Sequence, residues 1–125
     1  MSLKQTRNFP YKRSDRISGE IQKDISDMVA RGLLKDPRIG FVNISSVEVS
    51  DDLKTVKVYF TKLGSNLPIE NILKGFKSAN NYIRSTISRN LRLKYIPEFF
   101  YFYDTSFDYA DKIEKLLKDV KKHNE

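Results

Sequence analysis

Five consecutive aromatic residues, Phe99-Phe100-Tyr101-Phe102-Tyr103, constrain this chain more than any other segment. Aromatic rings lose rotamer freedom in a helix and pack well on a pleated surface, so the run predicts a strand. Both faces of that strand would be apolar or aromatic. Such a strand is expected to be central in its sheet or covered on both sides.

The rest of the chain supplies partners for it. Val56, Val58 and Phe60 alternate with Lys57, Tyr59 and Thr61, the period of a half-buried strand over Leu53 to Lys62. Gly40 to Ser50 predicts the strand before it, with a change of phase. Val42 and Ile44 share one parity and Val47 and Val49 the other, which predicts a bulge at Ser45-Ser46. Asp51-Asp52 suits the turn between the two, where Asp bonds its own local backbone.

Helical spacing appears on either side of this hairpin. Ile17, Ile21, Ile25, Met28 and Val29 predict a first helix capped by Ser14 or Asp15 and stopped by Gly32 and Asp36-Pro37. Pro68 suits the first turn of a second, whose buried face is Ile69, Ile72, Leu73 and Phe76. A further series, Ile83, Ile87 and Leu91, follows the small polar stretch Ser78-Ala79-Asn80-Asn81. That stretch predicts two helices joined by a kink, with Asn in a left-handed conformation. A last amphipathic helix is expected from Phe107 to Lys121, with Ile113, Leu116, Leu117 and Val120 on its apolar side. The fold class is therefore α+β, a three-stranded sheet with helices on one face. A length of 125 residues allows one domain. We expect a mobile basic arm over residues 1–11, the domain over 12–121 including the C-terminal helix, and a frayed tail over 122–125.

Several function classes lack their residues. The absence of cysteine removes disulfides, thiol catalysis and Cys-based metal sites. No run of apolar residues is long enough to cross a bilayer, and the N-terminus lacks the apolar core of a signal peptide, so a cytoplasmic protein with no membrane partner is expected. His123 is the single histidine, near a fraying end, so Ser-His-Asp chemistry has no base. Gly64 and Gly75 are isolated and form no phosphate loop. Asp51, Asp52, Asp104, Asp108 and Asp111 could be read as magnesium ligands of a nuclease. A turn and a helix start explain them better, because negative charge suits a helix N-terminus. No enzyme, metal or cofactor is expected.

Charge points to a binding role. The net charge is +7 and the isoelectric point near 9.6, which favours polyanionic partners. If Ile83, Ile87 and Leu91 face inward, Ser85, Arg89 and Arg92 face out, Arg84 sits at the boundary and Lys94 follows the helix end. Lys74 and Lys77 approach the same region, and no acidic residue occurs from Lys74 through Pro97. Together they predict a phosphate-binding surface, to which Arg7, Lys12, Arg13 and Arg16 near the N-terminus add charge. The aromatic run could serve as a base-stacking platform. It lacks the glycines that open such strands in RNA-recognition motifs, so core packing is the better reading.

These segments also resemble a known family. Asp36-Pro37-Arg38-Ile39-Gly40-Phe41, Val47-Glu48-Val49-Ser50-Asp51-Asp52-Leu53 and Lys57-Val58-Tyr59-Phe60 carry the likeness. So do Tyr82-Ile83-Arg84-Ser85, Leu91-Arg92-Leu93-Lys94-Tyr95-Ile96-Pro97-Glu98 and Tyr103-Asp104-Thr105-Ser106. In this order they make the chain similar to ribosome-binding factor A from about Arg13 to Leu117. The resemblance implies a type II KH-like fold in which an Ala-X-Gly kink replaces the Gly-X-X-Gly loop. Ala79-Asn80-Asn81 would occupy the kink, with Asn81 in place of glycine. It also implies a monomer that binds the free small (30S) ribosomal subunit and its 16S rRNA, assisting late maturation, rRNA processing and growth in the cold. The alternatives are a general binder of single-stranded RNA or DNA and a protein-interaction module that uses the hairpin edge strand.

Overall fold

A computed structural model of the chain describes residues 12–64 and 66–123. The expected arm over 1–11, Arg7 included, and the last two residues of the tail lie outside the described residues. In order, the elements are α1 (Arg13–Ala30), a 3-10 turn (Pro37–Ile39), β1 (Val42–Val49) and β2 (Thr55–Lys62). Then come α2 (Ile69–Leu91), β3 (Glu98–Tyr103) and α3 (Ser106–His123).

The spacing of α1 places Ile17, Ile21, Ile25 and Met28 on one buried stripe. Neither Ser14 nor Asp15 caps it, contrary to expectation. The helix begins at Arg13 after an extended Lys12. Ser14 is buried instead, and its Oγ donates to Asp51 Oδ1 at 3.4 Å, tying the start of α1 to the hairpin turn.

The strands lie in the order β1-β2-β3. β1 and β2 are antiparallel, and the register shifts between Ile44 and Ser46, where the change of parity predicts the bulge. The extra residue lets Val42, Ile44 and Val47 all face inward beside Val56, Val58 and Phe60. In the turn, Asp52 Oδ1 accepts from the Lys54 N–H at 3.0 Å and from Ser50 Oγ at 2.6 Å. Those bonds hold the Asp52 carboxyl below its ordinary range.

β3 joins β2 in parallel, with Val58 opposite Tyr101. It is an edge strand and not central, and among the described residues its outer face is not covered. Phe99 is buried and Tyr101 and Tyr103 pack against the core, whereas Phe100 and Phe102 are 45% and 42% exposed. The cause is the placement of the helices. α1 and α2 both pack on the inner face, and the described part of α3, Ile113 to Val120, is exposed throughout.

α2 is also simpler than its sequence suggests. It runs unbroken from Ile69 to Leu91, and none of its residues has a positive φ. No break separates two helices at Ser78–Asn81. Ala79 is the residue that joins the two apolar series. Ile72, Phe76, Ala79, Ile83 and Ile87 form one buried stripe at three- and four-residue spacing. Asn80 needs no open backbone either, since its Oδ1 accepts from the Tyr101 hydroxyl at 2.9 Å. Burial pushes the Tyr101 phenol well above its ordinary range, so it remains a donor to Asn80. Tyr101→Phe would leave that oxygen without its donor, and a loss of about 1 kcal/mol is expected in urea unfolding.

α2 meets the 3-10 turn at Gly75. A Cβ there would lie 3.0 Å from Ile39 Cγ2 and 3.2 Å from Arg38 Cβ. Gly75→Leu is therefore expected to destabilise by about 1–3 kcal/mol through overpacking, measured by urea unfolding. The turn itself is fixed by Asp36. Its Oδ1 accepts from the Arg38 N–H and Nε, both at 3.0 Å, while Oδ2 accepts from the same guanidinium at 2.7 Å. That guanidinium also reaches Ser78 Oγ at 3.3 Å, so Arg38 ties the turn to α2. Hydrogen bonding to Arg38 holds the Asp36 carboxyl below its ordinary value of 3.8. A carboxyl lowered on folding contributes stability above that ordinary value and loses it as pH falls through the lowered one. Acid unfolding followed by circular dichroism should therefore show a loss beginning near pH 4 that is shallower in Asp36→Asn.

Candidate nucleic-acid interface

The exposed side of α2 carries Lys74, Lys77, Asn81, Ser85 and Arg89 at successive three- and four-residue steps. That is a polar stripe about 22 Å long at 1.5 Å per residue. It contains no carboxylate. The remaining positions in the expected set behave differently. Ala79 is buried and Asn80 is engaged with Tyr101, so of that trio only Asn81 is exposed. Arg84 is half-buried, and its Nε donates to the Pro97 carbonyl at 2.9 Å. It pins the loop that leads into β3, with only part of its guanidinium left for a ligand.

Arg92 follows the last residue of α2 in a left-handed conformation, φ 53° and ψ 46°. Its N–H reaches the Ser88 and Arg89 carbonyls, and the Leu93 N–H reaches Ser88 O at 3.0 Å. This is the cap position where glycine is normally found, and a side chain there costs about 1 kcal/mol. An exposed arginine at that position gains nothing for the fold that glycine would not supply. Arg92→Gly is therefore expected to raise stability by about 1 kcal/mol and weaken binding to RNA, read by urea unfolding and by filter binding.

The topology gathers part of the basic set at one end of the sheet. The Glu98 N–H donates to Lys54 O at 2.9 Å, so the loop after α2 lies beside the hairpin turn. On the other side of that turn, Lys12 Nζ is 3.6 Å from Asp51 Oδ2 at the start of α1. Lys12, Arg13, Arg16 and Lys54 thus share an end with Arg84, Arg92 and Lys94, of which all but half-buried Arg84 are exposed. Lys94 Nζ sits 5.4 Å above the ring of exposed Tyr95. Lys74 and Lys77 lie toward the opposite end, on the part of α2 that meets the 3-10 turn. Lys54 and Tyr95 escaped the sequence reading. They reach this end through the parallel pairing of β2 with β3, which no spacing in the sequence reports.

Among the described residues, no group of three or more His, Asp or Glu side chains is placed to hold a metal ion, and no helix is long and apolar enough to cross a membrane. A phosphate backbone suits such a surface. Exposed cations neutralise phosphates, while a guanidinium and an exposed phenol ring can stack on bases.

Comparison with known proteins agrees with this architecture. A ribosome-binding factor A from Geobacter sp. (strain M21) is 45% identical over 109 residues, spanning 87% of this chain and 91% of that protein. The crystal structure of a ribosome-binding factor A from Thermus thermophilus superposes with a TM-score of 0.62 at 17% identity, over 72% of this chain and 94% of that one. A Thermus thermophilus ribosome-binding factor A fitted into an electron-microscopy map of its complex with the 30S subunit gives 0.51 at 18% identity, over 69% and 93%. With the family model for ribosome-binding factor A matching residues 13–117, the chain belongs to the ribosome-binding factor A family.

Proposed function

We propose that this chain binds the free small ribosomal subunit through its 16S rRNA and assists late maturation and processing of that rRNA, including during growth in the cold. It acts as a cytoplasmic monomer, by affinity and shape, with no catalytic turnover. The observation that carries the reading is the acid-free basic surface running from α2 into the loop before β3, met at one end of the sheet by the start of α1. Residues 12–121 form the binding domain, and the basic residues within 1–11 add charge. The 30S complex of the Thermus thermophilus relative supports the partner.

The test is co-sedimentation of the purified chain with free small subunits, large subunits and intact ribosomes over a salt series. Preferential binding to free small subunits that weakens with salt is expected. Equal binding to every particle would instead indicate a general single-stranded nucleic-acid binder. Turnover is checked on the same samples, since the rRNA is expected to remain uncut when magnesium is present.

A further inference from the structure

The outer face of the sheet carries no described helix, and its composition is unusual for a wet surface. Two rows cross it. Glu48, Lys57 and Phe100 form one, and Ser46, Tyr59 and Phe102 the other. Tyr59 and Phe102 are stacked with centroids 5.5 Å apart, and the Tyr59 hydroxyl donates to Glu48 Oε1 at 3.2 Å. Phe100 and Phe102 stand two positions apart on the same edge strand, both roughly half exposed. The ammonium of Lys57 belongs to the row of Phe100, next to Tyr59 along β2. Exposed rings beside a cation on a firm β-surface are the requirements for stacking unpaired bases while holding the phosphate between them.

This face is continuous with the basic end. A depression lined by Lys54, Thr55, Tyr95, Ile96, Glu98 and Phe100 leads from the loop before β3 to the first ring. Lys94 stands at its head, over the Tyr95 ring. Duplex RNA hides its base faces, so the ligand class that fits is a single strand.

We infer that the outer sheet face is a second RNA site, in which Phe100 and the Tyr59–Phe102 pair stack unpaired bases of a strand whose phosphates are held at the basic end. The inference rests on the RNA-binding reading above but concerns the face opposite the helices. The competing occupant is the chain's own α3, whose Ile113, Leu116, Leu117 and Val120 are also exposed. The structure favours RNA. Asp104, at the root of α3, is held by the Phe60 carbonyl, Ser45 and the Ser106 N–H, and the described side chains of α3, Ile113 to Val120, are exposed and not buried on the sheet. Rings set beside Lys57 and continuous with a basic end suit a nucleic-acid strand better than an aliphatic stripe, and Glu48 is already engaged by the Tyr59 hydroxyl.

The test compares a short oligoadenylate with an abasic ribose-phosphate chain of the same length, which keeps the charge and removes the bases. The full chain is expected to prefer the oligoadenylate by about tenfold or more, the size of one stacked base. Phe100→Thr with Phe102→Thr should abolish that preference while retaining salt-sensitive binding to both. Phe100→Tyr with Phe102→Tyr should keep it, which separates lost stacking from lost folding. Equal binding of the two chains by the wild type, or a preference that survives the Thr pair, would overturn the inference. So would ring proton shifts of Phe100 and Phe102 that change when the chain is cut after Thr105, with oligoadenylate binding only the shortened form, because α3 would then own the face. Small-subunit co-sedimentation on the same samples keeps the two readings apart. A wild type that shows no base preference but binds the subunit sinks this inference alone, and a wild type with base preference but no subunit binding sinks only the ribosomal target.

Discussion

Phe76→Ala is expected to remove about 3–5 kcal/mol of stability, seen as a fall in the urea midpoint with little change in slope. Phe76 is fully buried in the first half of α2. It touches both halves of the domain. Its ring stacks on Tyr101 of β3 at 4.8 Å with planes 11° apart, and meets Phe60 of β2 at 5.1 Å. Truncation leaves a cavity between helix and sheet and also frees the ring of Tyr101, whose hydroxyl donates to Asn80, so the cost exceeds the transfer of one side chain. Domains of this size have roughly 5–15 kcal/mol in total, so the variant should be close to half unfolded in mild denaturant. Phe102→Ala provides the contrast, because its ring is on the outer face, 42% exposed, with Tyr59 as its ring partner among the described residues. Its expected cost is about 1 kcal/mol or less. A large loss at Phe102 would mean that the outer face is covered.

Reversing Arg89, Arg92 and Lys94 to glutamate is expected to weaken small-subunit binding by about a hundred- to a thousandfold and lower the salt slope by about two. Each phosphate contact on single-stranded RNA releases about 0.7 of a counterion, so three lost contacts account for the slope, and the three new carboxylates add repulsion. Arg84 is left in place because its Nε holds the Pro97 carbonyl. The folded state should be nearly indifferent to the three changes, within about 0.5 kcal/mol by urea unfolding, since all three side chains are exposed. Binding that survives the reversal would move the interface to Lys74, Lys77 and the exposed middle of α2.

Much of this fold was legible from apolar spacing. The Ser45 bulge follows from a change of parity, and the hairpin from strict alternation in β2. Two misreadings share one physical cause. The sequence places Ala79 among polar neighbours, although a small residue there completes a buried stripe. The aromatic run predicts a strand central in its sheet or covered on both sides, although β3 is an edge strand and the described helices cover only one side of the sheet. Hydrophobicity along a sequence cannot report what lies on the far side of a sheet. For the interface, charge located α2 and its end, but the specialised positions depended on backbone conformation. Arg92 stands out through its φ and Arg84 through its bond to Pro97, and neither is visible in a pattern of charges.

The parallel pairing of β2 with β3 bears on the order in which the domain assembles. α1 and the β1–β2 hairpin are closed by contacts between near neighbours in sequence, whereas Val58 meets Tyr101 only after α2 has crossed the sheet. Loop closure of that length is slow, so the hairpin should form first and β3 should dock last. On a nascent chain, β2 therefore waits with one edge unpaired until α2, the loop and β3 have all emerged. Its Val56, Val58 and Phe60 face a core that Phe76 and Tyr101 have yet to complete. A pause in synthesis before Glu98 would hold the protein in its most aggregation-prone form, so chains cut there should be captured by chaperones that the full-length protein escapes.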